Sequence, residues 1–262
     1  MALGNAGASI DPISLEVIRR GVIAATNQID ANISRTAFSP FIYEYKDYAV
    51  GLLDAQGQLV AQNSGGMPIF VADSVGMAVR AGLEVYGADH LRHGDVVICN
   101  DPVVQGQHLN NVVMYTPIRV GPDDESLIGF FAINMHWIDL GGCVPRSTDV
   151  FMEGLQLPTV KLWSEGRRSD DLYRLISRNS RFPTELLGDI EAQLAGCLLG
   201  RELVAKLAER YGPESYTQAV RIILDQSEAV ARAAIAAMPD GCYEAQTMLD
   251  GDGETDTPLP IK

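Results

Sequence analysis

Residues 100–142 read NDPVVQGQHLNNVVMYTPIRVGPDDESLIGFFAINMHWIDLGG. Two runs rich in β-branched and aromatic residues, Val112–Val120 and Leu127–Met135, flank the turn-forming Gly121-Pro122-Asp123-Asp124-Glu125, the pattern of an antiparallel hairpin. With the turn centred near Asp123 and Asp124, pairing sets Asn111 opposite His136 and brings His108 close to Asp139 beyond the strand ends. Two imidazoles, a carboxylate and an amide gather at one end of the hairpin. Donors of this kind suit a divalent cation such as zinc or manganese; the same residues also fit a strand end followed by a turn.

Upstream of the hairpin, Val96–Cys99 is a buried strand that delivers Asp101 to the central loop, where its carboxylate either caps amides of the 102–107 loop or holds a histidine. Asp11-Pro12 opens a helix whose Leu15, Ile18, Val22, Ile29 and Ile33 share one face, and Ser39-Pro40 follows its end. Tyr48–Leu53 and Leu59–Ala61 form a second hairpin through Asp54-Ala55-Gln56-Gly57. Glu44 and Asp47 stand at its entrance, where acids ordinarily belong to a solvated loop. Val71, Val75, Val79 and Leu83 predict a helix over Ile69–Tyr86, and His90 and His93 fall in a polar, exposed loop.

Beyond Gly142, Asp149 and Glu153 are isolated acids near loops, and Val160–Trp163 lies in a strand. Helices are predicted over Asp170–Arg178, Thr184–Tyr211 and Glu214–Met238. Gly196 and Gly200 interrupt the apolar stripe of the second and admit a close neighbour. The fold class is therefore α/β, mixed α+β, with antiparallel hairpins forming a mixed sheet against long packed helices. Its parts are a 1–168 α/β region carrying the site, a 169–240 helical region, and 241–262 as the start of a following strand region. Neither a dinucleotide fingerprint nor a P-loop is present.

The chain has 262 residues, a hydrophobic fraction of 47% and a net charge of -14, which supplies a core and argues against a nucleic-acid partner. No run of about eighteen apolar residues suggests a membrane span, and Met1–Ser9 lacks a leader pattern. The expectation is a cytoplasmic protein. Cys99, Cys143, Cys197 and Cys242 lie too far apart for a redox pair or zinc ribbon, so reduced, mostly buried thiols are expected. Cys143 follows Gly142 directly, with no pairing to histidine visible in the sequence.

Several runs resemble the hydantoinase B/oxoprolinase family: Asn100-Asp101-Pro102, His108-Leu109-Asn110-Asn111, and His136-x-x-Asp139-Leu140-Gly141-Gly142. The family's usual forms are N-D-P-x-x-G-G-T-H-L-P-D and H-H-x-D-[VIL]-G-G. Asp11-Pro12-x-x-Leu15-Glu16-Val17, Arg35-Thr36-Ala37-x-Ser39-Pro40, Glu153-Gly154-Leu155-x-Leu157-Pro158 and Asn179-x-Arg181-x-Pro183 match in family order. The resemblance covers only the N-terminal half of family members. It departs at Asn63–Pro68, where the family usually has a histidine-containing run, and at Asn110-Asn111.

The resemblance implies a divalent metal, zinc or manganese, held by Asp47, His108, Asn111 and His136, with Asp139 and Glu44 as catalytic candidates: Asp139 adds charge at the metal or orients an imidazole, and Glu44 stands behind a ligand or on the substrate side. It also implies a hydantoinase-A-like partner subunit that uses ATP, a chain supplying the C-terminal half, and a small-molecule substrate. The activity implied is ATP-dependent hydrolysis of a cyclic amide; ATP-dependent carboxylation of a ketone and a non-catalytic subunit with a degenerate metal site are the alternatives. Asn111 brings no negative charge where the family has aspartate, which weakens cation binding.

Overall fold

The structure, a computed structural model, describes residues 10–143, 147–251 and 253–261; the leader reading concerns Met1–Ser9, outside these residues. Helix α1 spans Pro12–Thr36. It begins where the Asp11 carboxylate accepts from the amides of Ile13 and Ser14, both at 3.0 Å, a cap worth about 1 kcal/mol. Ile18, Val22, Ala25, Ile29 and Ile33 form its buried face. Ser39 then caps the short α2, Pro40–Tyr43, and β1 (Tyr48–Asp54) pairs with β2 (Leu59–Gln62).

Where the sequence predicts one regular helix from Ile69, a π-helical turn over Phe70–Ser74 leads into α3, Val75–Tyr86. Apolar spacing read at the α-helical period does not reveal such a turn. The side chain of Val71 lies outside those described. After β3 (Val96–Cys99), the loop beyond Asp101 closes into α4, Pro102–Gln105. Asp101 caps it, accepting from the Val103 amide at 2.9 Å, so the capping alternative is the one realised.

The central hairpin joins β4 (Asn111–Val120) to β5 (Ser126–His136). β6 (Val160–Ser164), β7 (Arg167–Arg168), α5 (Asp170–Arg178), α6 (Pro183–Tyr211) and α7 (Pro213–Ala236) follow, then β8 (Thr247–Leu249) and β9 (Leu259–Ile261). The first seven strands make one sheet in the order β2-β1-β5-β4-β3-β6-β7, each pairing antiparallel.

Both faces of the sheet are covered, which explains why its central strands read as nearly continuous apolar runs. Met114 and Ile133 belong to a core shared with Ile29 and Ile33 of α1 and Ile190, Leu194 and Cys197 of α6. Val113, Tyr115 and Ala132, one residue out of phase, pack with Val75, Ala78 and Val79 of α3. Two glycines of α6 are where helix meets sheet: a methyl on Gly196 would stand 2.9 Å from Ile133, and one on Gly200 would stand 2.3 Å from the Phe131 ring.

The chain divides into two units, Met1–Leu224 and Asp225–Lys262. The second holds the end of α7 and the β8–β9 hairpin, whose strands are exposed. All four cysteines are free; Cys99 and Cys197 are buried, but Cys143 and Cys242 are exposed, so the expectation of mostly buried thiols holds for two of them. Among the described residues no helix is long and apolar enough to cross a membrane.

Gly200→Ala tests the contact of α6 with β5. Helix propensity favours alanine by about 1 kcal/mol, whereas forcing a methyl into the buried Phe131 ring costs about 1–3 kcal/mol. Urea unfolding is expected to show net destabilisation; a gain in stability would mean that α6 stands off the sheet.

Candidate functional site

The β4–β5 register sets Asn111 opposite His136, as the turn placement predicts. β1 lies on the other side of β5, with Tyr48 opposite Met135, and the His136 amide donates to the carbonyl of Asp47 at 3.0 Å. Asp47, His136 and Asn111 are thus set side by side across three strands. Cross-strand neighbours of this kind hold their Cβ atoms about 5 Å apart.

His108 enters from the loop before β4, and its ring meets that of His136 edge-on, centroids 5.2 Å apart. This loop is fastened from several sides. The Leu109 amide donates to Glu153 at 3.2 Å, the Asn100 side chain donates to the Leu109 carbonyl at 2.8 Å, and the Asn111 amide donates to the His108 carbonyl at 3.1 Å. Glu153, read from sequence as an isolated surface acid, therefore anchors the histidine-bearing loop.

Phe41 stacks on the His136 ring at 4.6 Å. Burial, assisted by the neighbouring His108, pushes the His136 imidazole down to about 4, so the ring is neutral near pH 7. Asp47 is shifted the other way: burial raises its carboxyl, and His108 opposes the rise.

The polar atoms of this end share one feature. His108 Nδ1, His136 Nδ1 and the Asn111 carbonyl oxygen are buried without a hydrogen-bond partner. The Asn111 oxygen offers a lone pair, and each Nδ1 does so when its ring is neutral with the proton on Nε2. Leaving such groups unpaired costs about 1–3 kcal/mol apiece, and native folds tolerate that chiefly where an ion, ligand or water completes them. The donor set, two imidazoles and an amide oxygen beside a carboxylate, fits a divalent cation. As the side chains stand, no group of three or more His, Cys, Asp or Glu among the described residues is gathered at ion-binding spacing.

The structure places the other two candidates differently. Glu44 is exposed at the end of α2. Asp139 is buried and committed to Arg181, whose Nη2 lies 2.5 Å from Oδ1, while the Gly141 and Arg181 amides donate to the same carboxylate. Burial raises the Asp139 carboxyl, but the hydrogen bonds and charge of Arg181 outweigh it and the net shift is downward. Asp139 thus arrives as half of an ion pair rather than as a free charge beside His108. Gly141 and Gly142 adopt positive φ after it, and a methyl on Gly142 would stand 2.3 Å from the backbone of Glu153.

Beside His136 opens a cleft of about 310 Å³ lined by Phe41, Asn110, His136, Ile138, Asp139, Gly141, Cys143 and Arg181. Sequence reasoning missed Asn110 and Arg181 as its walls. The Asn179-x-Arg181-x-Pro183 match was the available signal for Arg181, and the departure from the family run at Asn110 was the one for Asn110. His90 and His93 are exposed, as expected.

A family model for hydantoinase B/oxoprolinase matches residues 11–262. The beta subunit of caprolactamase from Pseudomonas jessenii is 28% identical over 250 residues, covering 94% of this chain and 42% of that one. The crystal structure of the ATP-dependent caprolactamase of that organism superposes with a TM-score of 0.79 at 27% identity, covering 89% of this chain and 40% of the other. A nucleotide-free acetone carboxylase also gives a TM-score of 0.79, at 20% identity, covering 91% of this chain and 31% of the other, a likeness of fold alone. The chain spans less than half the length of these relatives.

Imidazole NMR titration of the metal-free chain checks the site's burial. His136 is expected to stay neutral until about pH 4. In the unfolded chain its proton is taken up near pH 6.5, so this histidine makes stability fall as pH drops from about 6.5 to 4. A midpoint near 6.5 in the folded chain would mean that the ring is solvated.

Proposed function

The chain belongs to the hydantoinase B/oxoprolinase family, and on that premise we propose that it is the metal-holding part of an ATP-dependent cyclic-amide hydrolase. The observation that carries this reading is the set of unpartnered buried polar atoms on His108, His136 and Asn111 near Asp47, of which His136 also lines a small cleft. Asp47, His108, Asn111 and His136 would hold the ion. A divalent cation there supplies Lewis acidity toward a substrate carbonyl.

The chain's own residues prepare this site. Burial keeps His136 neutral and its lone pair free, and stacking on Phe41 fixes the plane of the ring. Glu153 and Asn100 hold the backbone of the His108 loop. Asp139 positions Arg181 at the cleft and neutralises it. Asp47 brings the single negative charge of the set, which favours a divalent ion held at moderate affinity.

ATP would be used by a hydantoinase-A-like subunit. The matched relatives carry more than twice this chain's length, and their remaining region would be supplied by a further chain or segment. A cleft of about 310 Å³ sits at the small end for ligand sites, in keeping with a compact ring as substrate.

Elemental analysis of the purified chain is expected to find about one zinc or manganese per copy, and little in His108→Ala. Asn111→Asp is expected to tighten the metal about tenfold in a chelator competition, since each added ligand charge strengthens such sites. Equal metal in the wild type and His108→Ala, or none in either with either metal supplied, would overturn the ligand assignment.

A further inference from the structure

One residue of the cleft's lining, Asn110, has a buried side-chain oxygen that the protein leaves unused. Asn110 is 7% exposed, and its side-chain nitrogen donates to the Trp137 carbonyl at 2.9 Å. The Trp137 backbone amide in turn donates to the Asn110 backbone carbonyl at 2.8 Å. The first of these bonds fixes the side chain: rotating the amide by half a turn would set its oxygen against the Trp137 carbonyl oxygen. What remains is the Asn110 carbonyl oxygen, buried and without a partner, on a residue that lines the cleft next to His136.

That oxygen accepts and does not donate, so it calls for a donor. No other residue of the cleft wall donates to it. Phe41 and Ile138 are apolar, and the Arg181 guanidinium is engaged with Asp139 and the Gly141 carbonyl. The Cys143 thiol is exposed and a weak donor.

We propose that Asn110 is a specificity-determining residue that accepts a hydrogen bond from the ring N–H of the substrate, selecting secondary cyclic amides over ketones and N-alkylated rings. The inference rests on the cyclic-amide reading above and sharpens it. A ketone of the same size offers no hydrogen to this oxygen and leaves a buried acceptor unsatisfied, the arrangement by which sites reject close analogues most strongly.

The test uses three six-membered rings, 2-piperidone, N-methyl-2-piperidone and cyclohexanone, titrated calorimetrically into the full chain and into Asn110→Ala. Wild type is expected to bind 2-piperidone about tenfold more tightly than either of the others. Asn110→Ala is expected to weaken 2-piperidone by about the same factor while leaving cyclohexanone unchanged. The wild-type comparison stands by itself if the variant does not fold.

Equal binding of the three rings to wild type, no binding of 2-piperidone, or equal weakening of 2-piperidone and cyclohexanone by Asn110→Ala would overturn the proposal. Metal content separates its failure from failure of the function reading. Loss of ring discrimination with metal still bound removes only the role of Asn110, whereas discrimination without metal removes only the ligand assignment.

Discussion

The register of β4 on β5 is the constraint on which the site depends. Side chains alternate with a period of two, so a one-residue slip would turn every inward residue of β4 to the opposite face. It would move Asn111 away from His136 and bury the wrong set against α1 and α6. The register is secured at the site end by Gln193 of α6, which accepts from the Trp137 indole at 2.8 Å and donates to the Val112 and Ile133 carbonyls at 3.0 and 2.9 Å. One fully satisfied buried amide thus ties a helix to both strands of the hairpin, just behind the imidazoles.

The contrast with the groups in front of it is instructive. Gln105, His108, Asn110, Asn111, Asn134 and His136 each keep a buried side-chain polar atom without a partner, and these account for six of the eight such atoms among the described residues. They fall in two short stretches, 105–111 and 134–136, on adjoining strand ends and the loop between α4 and β4. A scaffold that satisfies Gln193 completely could have satisfied these groups as well. Their concentration at one end of the sheet is the mark of a place completed from outside the chain.

Much of this was legible in the sequence because the signals were local. A five-residue turn between two β-branched runs fixes a hairpin and its pairing, and Asp11, followed by proline, announces a helix start. Four-residue helices are too short for periodicity to reveal, although Ser39-Pro40 and Asp101-Pro102 carried the cap that predicts them. What the sequence hid was long-range or out of register. Arg181 reaches Asp139 across 42 positions, so no pattern of spacing linked them, and Asp139 read as a free carboxylate. Asn110 looked like a loop amide because only the tertiary fold shows that its nitrogen is spent on Trp137 and its oxygen is not.

The most direct test of this account is anomalous diffraction from crystals of the chain grown with zinc. One strong peak is expected among Asp47, His108, Asn111 and His136, with both imidazole nitrogens at about 2.0–2.1 Å from the ion. A peak elsewhere, or none at these residues while the imidazoles point away from each other, would contradict the claim that the hairpin end is a metal site.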